Sequence, residues 1–197
     1  KTLSFFLDRV FFALFKNNPL KYLNYICKIK KQKMKKVLFI LLVFILNIEI
    51  SFGQTRKLPN INVKTLNGKK FNISKLQNGQ NPIVISFWAT WCKPCKKELN
   101  NIAEIYEEWQ DETGVKIVAI SIDDSRSKSK VAPYVNSSDW EYEVYLDQNG
   151  DLKRAMGVST VPHTFLLNKN KEIVWQHKGY VDGDENKLFK EIKKLAK

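Results

Sequence analysis

The stretch FWATWCKPCKKE, residues 87–98, sets Cys92 and Cys95 two residues apart, behind Trp91 and around Lys93-Pro94. Three chemistries use such a pair: a metal site, a structural staple, or two-electron transfer by opening and closing a disulfide. A structural zinc site takes four ligands, and residues 54–197 add only His163 and His177, far off in sequence. A copper site of Cys92, Cys95 and His163 asks for fewer ligands and stays as an alternative. A staple across so short a loop constrains the unfolded chain very little. Redox exchange leads.

Position supports it. If Cys92 lies where a strand ends and a helix begins, its sulfur meets the unpaired N–H groups and positive end of that helix. These favour the thiolate, the form that attacks disulfides, and Lys93 acts with the same sign. Pro94 fits a first helical turn, where its missing N–H has no helical partner. Cys95, about one turn on, brings its α-carbon within the roughly 4.4–6.8 Å that a disulfide spans. Cys92 is then the sulfur that forms a mixed disulfide with a partner, and Cys95 the one that resolves it. Glu98, three residues after Cys95, shares its helix face. It can raise a neighbouring thiol's pKa and take its proton, or it can simply face solvent between Lys96 and Lys97.

The elements that must hold this pair read as follows. INVKTLNGKKFNISKL turns at Asn67-Gly68 and predicts a β-hairpin. PIVISFWA (82–89) and VKIVAISI (115–122) are continuous apolar runs, the mark of strands buried on both faces. Between them Leu99, Ile102, Ala103, Ile105, Tyr106 and Trp109 recur at three-to-four spacing, predicting one helix that ends near Gly114. A helix around Ser127–Val135, a strand over 142–147 and a short helix within QNGDLKRAMGV follow. HTFLLN and EIVWQHKG form a second hairpin, and Glu185–Lys197 a terminal helix with Leu188, Phe189, Ile192 and Leu195 on one face. The order predicts an α/β fold: a central mixed β-sheet flanked by helices.

These residues resemble the thioredoxin superfamily, and most closely its TlpA/ResA-like thiol–disulfide oxidoreductases. VISFWATWCKPCKKE is similar to the family's active-site strand and helix start, and GVSTVPHTFLLN to its cis-proline segment. The resemblance spans about residues 57–196. It implies a thioredoxin fold with an N-terminal β-hairpin and a central helix–strand insertion, where VAISIDDSRSKSKVAPYV falls. It implies that Cys92, Cys95 and Glu98 are catalytic. Trp91, Lys93, Pro94, Val161, Pro162 and His163 are its surroundings, with a cis bond at Pro162 receiving an extended partner segment. It implies no bound metal and no cofactor beyond the redox-active Cys92–Cys95 disulfide. Partners are protein thiols and disulfides, with electrons from an upstream thiol donor such as a membrane reductase; apocytochrome c thiols, and so cytochrome c maturation, are one substrate class. Three positions depart from the pattern. Ser86 stands where thioredoxin has a buried aspartate, Asn100 where the branch often has a helix-kinking proline, and His163 where threonine is common; His163 either lies near the sulfurs and tunes them or is an ordinary strand residue. A non-catalytic binding module on the same fold is a further alternative. Trp91 is expected at the partner surface, and Trp88, Trp109, Trp140 and Trp175 in the packing.

Charge and the front of the chain bound the setting. The net charge is +13, but residues 1–53 hold 10 Lys/Arg against 2 Asp/Glu, and residues 54–197 hold 23 against 18. No basic stripe interleaved with aromatics follows, so no nucleic-acid partner is expected. Residues 34–53, MKKVLFILLVFILNIEISFG, have the basic start, ten-residue apolar run and small residues of a signal peptide cut before Gln54. Ten residues cover about 15 Å as a helix, half the hydrocarbon core. The protein is thus expected to be exported to the periplasm, soluble after cleavage and anchored if uncut. Residues 1–33, with Cys27, read as a leader upstream of Met34, residues 54–60 as a linker and 61–197 as the domain.

Overall fold

In the computed structural model, residue 24, residues 27–36 and residues 56–196 are described. The chain divides into two compact units, residues 1–53 and 54–197. In the first, residues 27–36 are helical and exposed, with Cys27 a free thiol. The rest of the expected leader and nearly all of the expected signal peptide lie outside the described residues. No described helix is long and apolar enough to cross a membrane.

The second unit has a thioredoxin-like fold. Its described strands are β1 (Asn62–Thr65), β2 (Lys70–Asn72), β3 (Ile83–Trp88), β4 (Lys116–Ser121), β5 (Glu143–Leu146), β6 (His163–Leu167) and β7 (Ile173–Lys178). They form one sheet in the order β2-β1-β5-β4-β3-β6-β7. β3 runs parallel to β4 and β4 to β5, while β6 and β7 run antiparallel beside β3, so the sheet is mixed. The helices are α1 (Lys93–Ala103), α2 (Tyr106–Thr113), α3 (Val131–Ser137), α4 (Asp151–Ala155) and α5 (Asp184–Leu195).

Strand alternation divides the core into two layers. Val84 and Trp88 of β3, Ile117 and Ala119 of β4 and Leu166 of β6 face one side. There they pack with Leu99 and Ile102 of α1, Trp109 of α2, Val131 of α3 and Leu188 of α5. Ile83, Ile85, Phe87, Val118, Ile120, Phe165 and Leu167 face the other side, against Leu152, Met156 and the β1–β2 hairpin. Every residue of β3 is buried, which is why that stretch, Ser86 apart, reads as a continuous apolar run rather than an alternating one.

Both hairpins, the two buried strands and the helix–strand insertion stand where the sequence places them. Four details differ. The helix expected to run unbroken to Gly114 is interrupted at Glu104–Ile105, where Ile105 N–H turns back to Ile102 O and Ile105 takes φ −124°. The buried positions Leu99, Ile102, Tyr106, Trp109 and Thr113 keep helical spacing across the break, so periodicity does not reveal it. In the insertion, Lys128–Lys130 form a 3-10 turn and the α-helix begins at Val131, leaving Pro133 in its first turn. The terminal helix starts one residue early, at Asp184.

The fourth difference is at residues 56–58, part of the stretch 54–60 expected to be a linker. Arg56 O accepts Ile173 N–H at 2.8 Å, Lys57 bridges to Glu172, Arg56 Nη2 donates to Met156 O at 2.9 Å, and Leu58 enters the core. The segment covers the start of the β7 edge, whose unpaired backbone groups otherwise invite a foreign strand. A single apolar residue in a polar run gives too weak a period to announce such docking.

Candidate active site

β3 ends at Trp88, and the chain turns through Ala89–Trp91 before α1. Cys92 N–H donates to Ala89 O at 3.0 Å, closing this turn. Cys92 is the N-cap of α1, with extended backbone (φ −88°, ψ 99°), and its Sγ accepts the Cys95 N–H at 3.3 Å. A cap normally satisfies one of the free donors of a helix start with a side-chain oxygen; here a sulfur takes that place. Lys93 opens the helix and Pro94 lies in its first turn, where no backbone donor is missed. Cys92 and Cys95 are joined by a disulfide with α-carbons 5.4 Å apart.

The two sulfurs are unequally placed. Both are buried, Cys95 at 0% exposed and Cys92 at 5%, so the less covered cysteine is also the one with an N–H donor aimed at its sulfur. Trp91 beside it is 64% exposed, an exposure that the sequence leads one to expect. Trp88, Trp109 and Trp140 are buried, and Trp175 packs against the same core layer.

β6 brings the second loop to this end of the sheet. In the antiparallel β3–β6 ladder Phe87 pairs with His163, so the residues before β6 lie level with the strand end that leads to Cys92. The Val161–Pro162 bond is cis. Pro162 is buried, its carbonyl accepts Gly179 N–H at 2.9 Å, and Val161 packs against both core layers.

Glu98 is buried, not exposed between its lysine neighbours. Lys97 instead pairs with Asp182 at 2.6 Å, and Lys96 lies over the Tyr134 ring. The Glu98 carboxyl accepts from Thr164 Oγ1 at 2.7 Å and from Ser86 Oγ at 3.4 Å. Burial pushes its pKa up to about 7, against these two hydrogen bonds, which pull it down. Among the described residues it is the buried carboxyl on the same helix face as Cys95.

Of the two readings of His163, the ordinary strand residue is the one its geometry fits. Thr164 points to the α1 side of the sheet, so His163, the next residue along, points to the other side. There its ring stacks on Phe165 at 4.2 Å, and Nε2 lies 3.2 Å from Gln176 Oε1. Burial shifts its pKa down. The copper alternative needs His163 with the two cysteines, and the sheet separates them. Among the described residues no three His, Cys, Asp or Glu side chains gather as a metal site.

Sequence reasoning missed what Ser86, Thr164, Asp123 and Asn100 do around the site. Ser86 entered only as the absence of an aspartate and Thr164 not at all, yet both bind Glu98. The signal was present: each is a hydroxyl inside an otherwise apolar strand core. Asp123, fully buried, accepts from Thr90 N–H at 2.9 Å, Thr90 Oγ1 at 2.6 Å and Ser121 Oγ at 2.8 Å. It thereby ties the turn before Cys92 to the end of β4. Asn100, singled out for not being proline, accepts from Trp140 Nε1 at 2.9 Å and donates to the Tyr134 hydroxyl at 3.3 Å. It holds the insertion against α1.

A disulfide at the strand-to-helix junction of a thioredoxin-like sheet, with a cis-proline loop alongside, defines the thiol–disulfide oxidoreductase class. Comparison with known proteins agrees. The AhpC/TSA family model matches residues 55–176. The thiol-disulfide oxidoreductase ResA of Bacillus thuringiensis subsp. konkukian is 30% identical over 141 residues, covering 72% of this chain and 78% of that protein. A thioredoxin-like protein of Porphyromonas gingivalis, solved in solution, is 47% identical with a TM-score of 0.64, covering 71% of this chain and 91% of that one. StoA of Bacillus subtilis is 26% identical with a TM-score of 0.53, covering 67% and 99%. The chain belongs to the AhpC/TSA family and, within it, to the ResA-like thiol–disulfide oxidoreductases.

Proposed function

We propose that this oxidoreductase is exported and works as a reductase of protein disulfides through Cys92 and Cys95. The observation that carries the reading is the asymmetry of the pair: Cys92 is the less buried cysteine and its Sγ takes the Cys95 N–H, while Cys95 is completely buried. With both cysteines reduced, the Cys92 thiolate attacks one sulfur of a substrate disulfide. A Cys92–substrate bond forms, the substrate S–S bond breaks, and the first substrate thiolate leaves. Cys95 then loses its proton to the Glu98 carboxylate and attacks Cys92 Sγ, forming the Cys92–Cys95 bond and releasing the second substrate thiolate. Two electrons have passed to the substrate, whose two thiolates take up protons. An upstream dithiol donor returns the pair to its reduced form, and Glu98 gives its proton back to Cys95.

Lys93-Pro94 between the cysteines supports the reducing direction, since no histidine stands there to over-stabilise the thiolate. Export rests on the signal-like layout of residues 34–53. The exposed Trp91 and the buried Pro162 loop beside Cys92 frame the place where an extended protein segment would lie.

Stoichiometric transfer tests the direction. Fully reduced protein is mixed with an equivalent of insulin, and all thiols are alkylated before mass analysis. The expected result is one insulin disulfide opened per Cys92–Cys95 bond formed. Protein that keeps both thiols while insulin stays closed would contradict the proposal.

A further inference from the structure

Two buried hydroxyls sit side by side in strands β3 and β6. Ser86 and Thr164 face each other across the β3–β6 ladder, on the side that carries α1. Cross-strand partners bring their side chains together, and Glu98 of α1 reaches down onto both. Thr164 Oγ1 stands 2.7 Å from Glu98 Oε1 and 3.3 Å from Ser86 Oγ, and Ser86 Oγ stands 3.4 Å from Glu98 Oε2. Three polar groups thus make three contacts in a closed triangle, and all three are buried.

A hydroxyl carries one hydrogen and accepts others, so the triangle closes in two ways. With Glu98 ionised, Thr164 donates to Oε1 and Ser86 donates to Oε2. With Glu98 protonated on Oε1, that proton goes to Thr164 Oγ1, Thr164 turns its hydrogen to Ser86 Oγ, and Ser86 donates to Oε2. No donor is stranded in either state. A buried donor or acceptor left unsatisfied is costly, so losing part of this ring shifts the balance between the two states of the carboxyl.

We propose that Ser86 and Thr164 are positioning residues for electron transfer at Cys92–Cys95, forming with Glu98 a hydrogen-bond ring that takes up and releases the proton of Cys95 by rotating hydroxyls. This rests on the reading of Glu98 as the proton acceptor and adds how a buried carboxyl can act as one. Other groups facing Glu98 do not replace the ring. Asp184 and Glu185 of α5 are negative and oppose ionisation, Tyr142 gives its hydroxyl to Leu99 O, and Cys95 on the same helix is the proton's source.

Four variants test it: Thr164→Val, Thr164→Ser, Ser86→Ala and Glu98→Gln. Reduced protein is mixed with 5,5′-dithiobis(2-nitrobenzoate) in stopped flow. The first released aryl thiolate reports attack by Cys92, and the second reports resolution by Cys95. Infrared titration of the carboxylic C=O band of the oxidised protein reads Glu98 itself. Thr164→Val should move both pH midpoints upward and slow resolution at pH 7 about tenfold, the loss of one hydrogen bond to a charged group. Thr164→Ser should restore the wild-type midpoints. Ser86→Ala, which loses a longer contact and leaves Thr164 in place, should shift them the same way by less. A merely structural role would lower thermal stability and leave the midpoints alone. Unshifted midpoints in Thr164→Val and Ser86→Ala overturn the ring, provided that Glu98→Gln abolishes the pH dependence of resolution. If Glu98→Gln keeps that dependence, the proton-acceptor reading fails first, and the catalytic part of the ring fails with it.

Discussion

Cys92→Ser should abolish disulfide exchange, while Cys95→Ser should leave its first half intact and accumulate a covalent adduct. The expected difference follows from where the sulfurs sit. Within residues 54–197, losing Cys92 leaves only Cys95, which is fully buried beneath the helix start. Without Cys95, Cys92 still attacks, and its N-cap position still supplies free N–H groups to the thiolate. The mixed disulfide then waits for an external thiol. Non-reducing electrophoresis after incubation with a disulfide-bonded protein reads the outcome directly, with adducts in Cys95→Ser and none in Cys92→Ser. The reverse pattern would exchange the roles of the two cysteines. Adducts in neither would leave the fold as a binding module.

Glu98 makes the stability of the oxidised protein fall as pH rises. Its carboxyl pKa is raised from an ordinary 4.5 to about 7, first by burial, so between those values the folded state holds a proton that the unfolded state has lost. Stability from this group is complete below about pH 4.5 and disappears as pH climbs through about 7, a change of about 3 kcal/mol. Glu98→Gln places a neutral amide in the same pocket, where it can still accept from one hydroxyl. It should remove this downward slope between pH 4.5 and 7 and be more stable than the wild type above pH 7. Denaturant unfolding of both proteins across that range checks it. Parallel slopes would show that Glu98 ionises freely in the fold. The same substitution should slow resolution on the order of 10²-fold at neutral pH, since the general base is gone.

How legible all this is in the sequence depends on the kind of signal. The sheet and most helices follow from periodicity: β3 is announced by a run that is apolar at every position but Ser86, and the first hairpin by Asn67-Gly68. The cysteine pair and Pro162 follow from motif and resemblance. What stayed hidden depends on facing direction in three dimensions. His163 and Thr164 are neighbours in sequence, and strand alternation sends the histidine away from the sulfurs and the threonine towards Glu98. One register statement, Ser86 opposite Thr164, decides both. The pairing of β3 with β6 joins residues 78 positions apart, and no local pattern specifies it. The break at Ile105 and the docking of Arg56–Leu58 are hidden for a different reason. Each is a backbone event that leaves the apolar spacing unchanged or involves too few apolar residues to create one.

The most direct measurement is the equilibrium reduction potential of the Cys92–Cys95 pair against a thiol–disulfide buffer. A reductase must hold its electrons at lower potential than the disulfides it opens. The predicted value lies near that of thioredoxin, roughly −270 mV. A value near that of the strong oxidant DsbA, about −120 mV, would mean that electrons flow into this protein from its substrates, and would contradict its assignment as a reductase.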